Sequence, residues 1–442
     1  MSIKLYNTLA GKKEIFKPSK KGIVKMYVCG PTVNDVPHLG HARQQIAFDI
    51  LRKYLKFLGF EVKFVSNITD VDDKIINKAN ELKEDIKELT KRNLKAHLKD
   101  YAKIGVDKPD VQPKATEYIP EMINLIKRLE EKGYTYIING DGVYYDVSKF
   151  KGYGKLSHQK TENLIAGKRV ALKEEKRNRE DFVLWKFSKK GEPSWYSPWG
   201  KGRPGWHIEC SAMSEKILGL PLDIHGGGQD LIFPHHEDEI AQSEAAAGKK
   251  FVNYWVHNGM VNVNKVKMSK SLGNFKTIRD ILKNYSGEVI RYFVISTQYR
   301  KPIDFSENAL NDAKNSYERL KNITLDLKDD EEINTKYLKE FRDAMDDDLN
   351  TPEALAVLWK LARDKDAKGK AGTIKEIDKV FGLNLNKEEK IDIPSDVKKL
   401  AKEREEMRKK KNWEEADNIR RRIEKLGYQI DDTAEGTKIK KG

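Results

Sequence analysis

The segment from residue 23 to residue 66 constrains the fold more than any other part of the chain. Residues 23–29, Ile-Val-Lys-Met-Tyr-Val-Cys, have strand composition and are followed by the turn pair Gly30-Pro31. From Gly40 onward, apolar residues recur at helical spacing until Gly59, and residues 61–66 again favour a strand. Strand, helix and strand in this order predict a right-handed βαβ unit with parallel strands.

Several polar residues follow the two predicted strands. Ligands of open parallel sheets bind outside the carboxyl ends of the strands, next to the N-terminus of the following helix. Cys29, His38, His41 and residues 67–70 would all lie at that edge. The sequence therefore predicts a ligand site there.

The rest of the chain predicts an α/β protein in several parts. Thr116 is a candidate cap for a helix through Glu131, and residues 139–142, Asn-Gly-Asp-Gly, are typical of a hairpin turn. Beyond Ser306 the chain is charged and helical. We expect a Rossmann-like catalytic domain in two halves, 1–112 and 223–306, a connective insertion at 113–222, an α-helical bundle at 307–394, and a small basic C-terminal unit at 395–442.

The C-terminal unit has the pattern of a basic helical pair. Ala416, Ile419, Ile423 and Leu426 form a narrow apolar seam at helical spacing. Three consecutive arginines, 420–422, fall largely outside the seam. We expect these arginines on the solvent side.

Composition limits the class of protein. The 442 residues contain 84 Lys+Arg against 69 Asp+Glu, a net charge of +15, which indicates either a lysine-rich solvated surface or a polyanionic partner. Two cysteines in 442 residues exclude a disulfide scaffold, and the start, Met-Ser-Ile-Lys, lacks the apolar run of a signal peptide. No stretch approaches the ~20 apolar residues of a membrane-spanning helix. We therefore expect a cytoplasmic protein that does not contact a membrane.

The first motif is Pro37-His38-Leu39-Gly40-His41, at the predicted helix N-terminus. Backbone N–H groups there favour a phosphate, and two histidines three residues apart can donate to its oxygens. Helix capping is the alternative explanation. A G-x-G-x-x-G loop is missing from this turn, which argues against a dehydrogenase.

The second motif is residues 266–274, Val-Lys-Met-Ser-Lys-Ser-Leu-Gly-Asn. Lys267 and Lys270 flank a serine in a loop rich in small residues. Such a loop can close on a triphosphate and stabilise charge as the α–β bond breaks. A solvated basic loop is the alternative.

The two motifs in this order resemble the ATP-binding signatures of class I aminoacyl-tRNA synthetases, written HIGH and KMSKS, with Leu39 as a conservative change. Further segments resemble the cysteinyl-tRNA synthetase family within that class, over essentially the whole chain. These segments are residues 27–33, 202–213, 223–228, 233–239, 344–352 and 416–420. Asn34 and Ile439 depart from the family pattern, where aromatic residues are usual.

The resemblance implies a function and its residues. ATP, carried with Mg²⁺, would contact Pro31, Thr32, His38, Gly40, His41 and Lys270, and the catalytic residues would be His38, His41, Lys267 and Lys270. It also implies L-cysteine as substrate, transfer of the cysteinyl group from its adenylate to the terminal adenosine of tRNA(Cys), and an anticodon-binding role for residues 395–442. A monomer is expected.

The two cysteines, Cys29 and Cys210, are either buried small hydrophobes or soft metal ligands. His235 and Glu239 are four residues apart, hence on one helical face, and complete a set acceptable to zinc. A dispersed set with a carboxylate favours a catalytic or substrate-binding ion over a structural one. His236 and Glu237 compete as ligands, and the residues alone do not exclude His236; the resemblance selects His235 and Glu239, with one Zn²⁺ per chain.

A zinc ion would explain selection of cysteine. Serine differs by one atom, and a pocket that senses size discriminates such isosteres by only about 1–3 kcal/mol. A thiophilic ion coordinates the thiolate and binds a neutral hydroxyl poorly, so no editing domain is expected. Thr69, Trp206, His207 and His225 are the expected amino-acid-binding residues; ordinary core packing of Trp206 and a buried, hydrogen-bonded His225 are the alternatives.

Two other functions remain open at this point. A ligase of the same ancestry that joins cysteinyl adenylate to an amino sugar would share the zinc and ATP residues, but would not use a basic C-terminal unit. A non-catalytic RNA-binding paralogue would have lost the signature histidines and lysines, which are present here.

Overall fold

The computed structural model describes residues 3–158, 175–268, 273–328, 332–387, 394–433 and 436–441. The chain divides into two compact units, Met1–Leu385 and Asn386–Gly442. None of the described helices is long and apolar enough to span a bilayer.

The strands of the described residues are β1 (Lys4–Asn7), β2 (Lys12–Ile15), β3 (Ile23–Val28), β4 (Glu61–Ser66), β5 (Thr135–Ile138), β6 (Gly142–Tyr145), β7 (Phe182–Phe187), β8 (Gly202–Pro204), β9 (Leu222–Gly228), β10 (Val252–Asn258), β11 (Val261–Val263), β12 (Val266–Lys267), β13 (Ile303–Phe305), β14 (Tyr428–Thr433) and β15 (Gly436–Lys441). The α-helices are α1 (Leu39–Phe57), α2 (Asp73–Leu82), α3 (Ile86–Lys103), α4 (Ile119–Glu131), α5 (Trp206–Leu218), α6 (Glu237–Ala247), α7 (Ile278–Ile281), α8 (Gly287–Ile295), α9 (Glu307–Leu325), α10 (Thr335–Asp346), α11 (Thr351–Arg363), α12 (Lys370–Phe381), α13 (Ser395–Lys409) and α14 (Trp413–Lys425).

A parallel sheet forms the centre of the first unit. Its strand order is β10-β9-β3-β4, and all three pairings are parallel. The predicted βαβ unit is confirmed as β3-α1-β4, with the first strand ending at Val28 instead of Cys29 and the helix beginning at Leu39. Helix α1 buries Ile46, Ile50 and Tyr54 because their helical spacing places them on one face.

The connection from β4 to β9 contains a second sheet. Strands β5 to β8 pair antiparallel in chain order, and residues 139–141 form the turn between β5 and β6. The predicted capping role of Thr116 is wrong: α4 begins at Ile119, and the Thr116 hydroxyl donates instead to Asp70 Oδ2 at 2.7 Å.

The second half of the first unit ends in helices. Strand β11 pairs in parallel with β13 and antiparallel with β12. Helices α9 to α12 follow β13, and they bury a continuous apolar core that includes Phe341, Leu358, Ile374 and Phe381. This is the α-helical bundle that the sequence predicts.

The second unit contains the predicted helical pair, α13 and α14, and a hairpin of β14 and β15 that the sequence analysis did not predict. Ile419 and Ile423 are buried, but Leu426 is 48% exposed, so its predicted place in the seam is wrong. The helix ends at Lys425, and Ile430 from the hairpin packs in the same apolar cluster as Ile423. Arg420, Arg421 and Arg422 are exposed, as expected.

Candidate active site and metal-ligand cluster

Four buried side chains meet beyond the carboxyl end of β3. Cys29 follows β3 directly, Cys210 lies on the second turn of α5, and His235 and Glu239 flank the start of α6. One ligand atom from each of these four residues lies within 4.8 Å of all the others, so the cluster could hold a metal ion. The structure thus brings together the four residues that the sequence analysis named as ligands.

The spacing within this cluster suits a tetrahedral ion. Bonds of about 2.0–2.3 Å, as zinc makes to nitrogen, oxygen and sulfur, place neighbouring ligand atoms roughly 3.3–3.8 Å apart. Cys29 Sγ lies 3.6 Å from Cys210 Sγ and 3.5 Å from Glu239 Oε1. His235 Nε2 and Glu239 Oε1 are closer, at 3.0 Å, because they form a hydrogen-bonded ion pair.

A second set shares two of these residues. Cys29, His225, His236 and Glu239 also place ligand atoms within 4.8 Å of one another. However, His225 faces an oxygen acceptor with each ring nitrogen: Nδ1 lies 3.0 Å from the Tyr27 carbonyl and Nε2 lies 2.8 Å from Glu239 Oε2. His235 Nε2 likewise faces an oxygen of Glu239, at 3.0 Å, so both sets meet the same geometric requirement.

The charges within the cluster are paired. Burial opposes ionisation of Glu239, but the charges of His225 and His235 hold its pKa well below the usual range. Burial also opposes protonation of His235, yet the Glu239 carboxylate raises the pKa of His235 to about 10. Although burial disfavours the thiolate of Cys210, hydrogen bonds with Cys29 and His235 lower its pKa to about 6. A bound cation would replace the proton of His235, since a ligating imidazole is neutral.

Two chains of hydrogen-bonding side chains surround the cluster. In one, His235 Nδ1 lies 2.9 Å from His207 Nδ1, and His207 Nε2 lies 3.3 Å from Asp238 Oδ2. In the other, His236 Nδ1 lies 2.8 Å from His257 Nε2, and His257 Nδ1 lies 2.7 Å from Thr8 Oγ1. Such outer partners fix ring orientation around a metal.

Sequence reasoning missed His257. This residue lies near the carboxyl end of β10, opposite Gly227 of β9, and is 3% exposed. Burial lowers its pKa to about 3. The only sequence feature that could have pointed to His257 is its position after the apolar run of β10. Its contact with His236 depends on the strand order, which the local sequence does not reveal.

The four residues predicted to bind the amino acid lie around the cluster. Trp206 stacks on His235 with ring centroids 4.1 Å apart, and His207 contacts the same histidine. His225 is fully buried behind the ligands. Thr69 is 1% exposed, and its hydroxyl donates to Glu209 Oε2 at 2.7 Å.

The first signature segment caps α1. His38 Nδ1 accepts from Gly40 N at 3.0 Å, and His41 Nδ1 accepts from His38 N at 3.1 Å. Because each Nδ1 accepts a hydrogen bond, each ring carries its proton on Nε2, which is the donor that a phosphate oxygen requires. Capping and phosphate binding are therefore compatible roles for the same two histidines.

Residues just before this signature are held against the segment that follows β4. The Gly30 N–H donates to Asn67 Oδ1 at 2.8 Å, and a Cβ at Gly30 would lie 1.5 Å from the Asn67 carbonyl oxygen, so no larger residue fits. Thr69 N donates to the buried Pro31 carbonyl at 3.1 Å, and Thr32 pairs with Thr69. This packing places Pro31 and Thr32 between the cluster residue Cys29 and the histidines.

The base of the second signature loop is joined to the first. Leu39 N donates to the Lys276 carbonyl at 3.0 Å, and Ile278 N donates to the Pro37 carbonyl at 3.0 Å. The methyl carbon of Met268 would lie only 3.6 Å from a Cβ at position 40, so the second signature segment comes close to Gly40 of the first. Lys267 ends β12 and is exposed, whereas Lys270 lies outside the described residues.

The fold defines a class of protein. Methionyl-tRNA synthetase of Mycobacterium tuberculosis, solved with methionyl-adenylate, is similar over 82% of this chain and 90% of that one, with a TM-score of 0.59 and 14% identity. The LeuRS of Agrobacterium radiobacter K84, solved in a ternary complex, matches 83% of this chain and 84% of that one at the same TM-score of 0.59 and 11% identity. The chain therefore has the class I aminoacyl-tRNA synthetase fold.

Sequence comparison defines the family. A family model described as "tRNA synthetases class I (C) catalytic domain" matches residues 15–315, a DALR domain matches 340–412, and "Cysteinyl-tRNA ligase anticodon binding domain" matches 391–438. Cysteine–tRNA ligase of Thermococcus gammatolerans is 49% identical over 99% of this chain and 98% of its own length. That of Francisella tularensis subsp. novicida is 50% identical over 99% of both. The chain belongs to the cysteine–tRNA ligase family of enzymes.

Proposed function

We propose that the protein activates L-cysteine with ATP and transfers it to tRNA(Cys). The observation that carries this proposal is the buried pair of thiols, 3.6 Å apart, combined with an imidazole and a carboxylate beside a helix N-terminus. A thiol-lined site next to a phosphate-binding one suits an enzyme that must recognise cysteine and adenylate it.

The ion proposed for the cluster is zinc, one per chain, held by Cys29, Cys210, His235 and Glu239. The donor set fits, since thiolate, imidazole and carboxylate are all zinc ligands and the spacing is close to tetrahedral. When bound, the ion would favour a thiolate over a neutral hydroxyl and so separate cysteine from serine. Thr69, Trp206, His207 and His225 surround this position and are proposed to shape the amino-acid pocket.

The activation step uses the two signature segments. A carboxylate oxygen of cysteine attacks the α-phosphorus of ATP, forming an O–P bond as the bond to pyrophosphate breaks. The Nε2–H groups of His38 and His41 stabilise the charge that develops, together with Lys267 and Lys270, while Mg²⁺ accompanies the triphosphate. Pro31, Thr32 and Gly40 complete the ATP-binding surface.

Transfer completes the reaction. A hydroxyl of the terminal adenosine attacks the adenylate carbonyl, and AMP leaves with the electron pair of the broken C–O bond. The basic residues of the C-terminal unit suit contact with an RNA backbone, and unpaired anticodon bases can be bound by stacking and edge contacts. We propose that the protein acts as a monomer.

The amino-sugar ligase is the less favoured alternative. It would share the thiol cluster and both signatures. An anticodon-binding domain has no use in such an enzyme, yet its family model matches residues 391–438.

Amino-acid-dependent ATP–pyrophosphate exchange with each of the twenty amino acids, followed by charging of a tRNA(Cys) transcript, tests the proposal. We expect exchange with cysteine alone and stable cysteinyl-tRNA. Exchange with cysteine but transfer only to an amino sugar would establish the alternative. Exchange with a different amino acid would overturn the assigned specificity.

A further inference from the structure

One face of helix α3 contacts the backbone that leads into the first signature. Asn93, His97 and Tyr101 follow one another at intervals of four residues, so they share a helical face, and each is buried. Asn93 Nδ2 donates to the Val33 carbonyl at 3.0 Å, and His97 Nε2 lies 2.9 Å from the Asp35 carbonyl oxygen. This face of α3 therefore holds the segment that precedes the signature histidines.

The surroundings of His97 fix its protonation. Burial lowers the pKa of His97 to about 4, so the ring is neutral near pH 7 and only one of its nitrogens carries a proton. A carbonyl oxygen can only accept, so Nε2 carries this proton and donates to Asp35. Nδ1, 3.0 Å from the Tyr101 hydroxyl oxygen, then accepts from that hydroxyl. His97 is thus a neutral imidazole held at both nitrogens.

The ring of His97 also packs against His41. The two ring centroids are 5.3 Å apart, and the planes are inclined by 65°. His41 in turn stacks on His38, with centroids 3.8 Å apart, and its Nδ1 accepts from the His38 N–H. The orientation of the His41 imidazole is therefore restrained by two rings and one hydrogen bond.

Helix α3 is also joined to the base of the second signature loop. Arg279, on α7, donates from Nε and Nη2 to Asp100 Oδ2 at 3.1 and 3.0 Å. Asp100 is buried and lies three residues after His97, so the two are neighbours on the helix surface. Helix α7 follows Lys276, whose carbonyl accepts from Leu39 N. One helix thus contacts the backbone at both signatures.

We propose that His97 is a positioning residue for cysteine activation, which holds the His41 imidazole so that its Nε2–H reaches the phosphate oxygens of ATP. His97 acts indirectly, through its ring contact with His41 and its hydrogen bond to Asp35. Misplacement of a reacting group by about 1 Å can cost about 100-fold in rate, so this restraint matters for the chemical step. The inference rests on the proposed function and on the role proposed there for His41.

A double-mutant cycle tests the coupling between the two histidines. Single-turnover adenylate formation is measured on the full chain as wild type, His97→Ala, His41→Ala and the double variant. We expect His97→Ala to slow wild type about tenfold or more, and to slow the His41→Ala protein by less than about twofold, because His97 acts through His41. The KM for cysteine should stay within about twofold of wild type. A purely structural residue would slow both backgrounds equally.

Asn93→Ala is the matched control. It removes a buried hydrogen bond from the same helix face to the same segment and leaves the rings of His97 and His41 in place. We expect any slowing by Asn93→Ala to be equal in the wild-type and His41→Ala backgrounds. Coupling to His41 as strong as that of His97→Ala would overturn the proposal, since α3 as a whole would then position the segment.

The other outcomes are equally decisive. Equal slowing by His97→Ala in both backgrounds would overturn the proposal, and so would a rate for His97→Ala within twofold of wild type. If His97→Ala does not fold, His97→Gln takes its place in the same cycle with the same expected coupling, because glutamine keeps an N–H donor and removes the ring. A wild-type rate for His41→Ala would overturn this inference together with the role of His41. Absence of cysteine-dependent exchange in wild type would instead contradict the proposed function.

Discussion

Cys29 and Cys210 are the only cysteines of the chain, and they contribute their sulfur atoms to one buried cluster although 181 positions separate them. Burial and the neighbouring Cys210 raise the pKa of the Cys29 thiol, whereas the pKa of Cys210 falls to about 6. Cys29 therefore tends to keep its proton while Cys210 tends to lose it. At the scale of the residue, a bound cation between the two sulfur atoms would favour the thiolate form of both cysteines.

Replacement of one sulfur tests this interpretation. We expect Cys210→Ser to lower bound zinc and cysteine-dependent exchange together, because a serine hydroxyl is a poor zinc ligand. Discrimination against serine should shrink as well. Metal analysis and exchange assays check this, with Ser214→Ala on the same helix as control. An active Cys210→Ser protein with a full complement of zinc would contradict the ligand assignment.

The signature lysines give a second prediction at this scale. Lys270→Ala should slow adenylate formation about 100-fold or more, roughly 3 kcal/mol, because its ammonium is proposed to stabilise charge that develops only in the transition state. Cysteine binding should change little, and Lys267→Ala should be milder. Single-turnover adenylate formation, measured over a range of cysteine concentrations, separates a slower chemical step from weaker cysteine binding. Rates for Lys270→Ala within a few-fold of wild type would show that Lys270 does not stabilise the developing charge.

At the scale of elements, a buried ion pair joins α1 to α8. Asp49 on α1 accepts from Arg291 on α8, and Arg291 also donates to the Phe381 carbonyl at the end of α12. Both side chains are at most 2% exposed. Since loss of one partner leaves a buried charge uncompensated, Asp49→Asn should cost about 3–5 kcal/mol of unfolding free energy.

Chemical denaturation measures this cost. Lys339→Met, which removes an exposed pair with Asp343 on α10, is the control and should cost less than about 1 kcal/mol. Burial opposes ionisation of Asp49, but Arg291 and Lys53 lower its pKa, so its contribution is present above the unfolded pKa of about 3.9 and is lost as pH falls below it. Wild type should therefore lose more stability than Asp49→Asn between about pH 5 and 3. Equal costs for the buried and the exposed pair would contradict this account.

Elements differ in how far sequence predicts them. The β3-α1-β4 unit follows from local periodicity, and residues 61–66 form the predicted strand without shift. The packing of Leu426 could not be predicted in the same way, because Ile430 comes from a hairpin that the analysis did not predict. His257 meets His236 only through the order β10-β9-β3, which is a property of the whole sheet. Local pattern was sufficient for the contiguous motifs, and the family resemblance supplied the dispersed ligand set, whereas the contact of His257 with His236, which depends on strand order, was not predicted.

At the scale of the whole molecule, the chain has two compact units, and the thiol cluster and the described signature residues lie in the first, Met1–Leu385. Deletion of residues 395–442 should therefore leave cysteine-dependent exchange within about twofold of the full chain and reduce tRNA charging at least tenfold. The physical reason is loss of the phosphate and anticodon contacts proposed for the basic helical pair. Exchange and charging assays on one preparation measure both. Equal loss in the two assays would show that this unit supports the catalytic unit instead of binding RNA.

The central claim is that a metal held by Cys29, Cys210, His235 and Glu239 selects cysteine through its thiolate. Absorption spectroscopy of the cobalt-substituted protein tests it most directly, because thiolate ligands give sulfur-to-metal charge-transfer bands. The account predicts one cobalt per chain and a charge-transfer band that grows when cysteine is added and stays unchanged with serine. A fully active metal-free protein, or a band that responds equally to both amino acids, would contradict it.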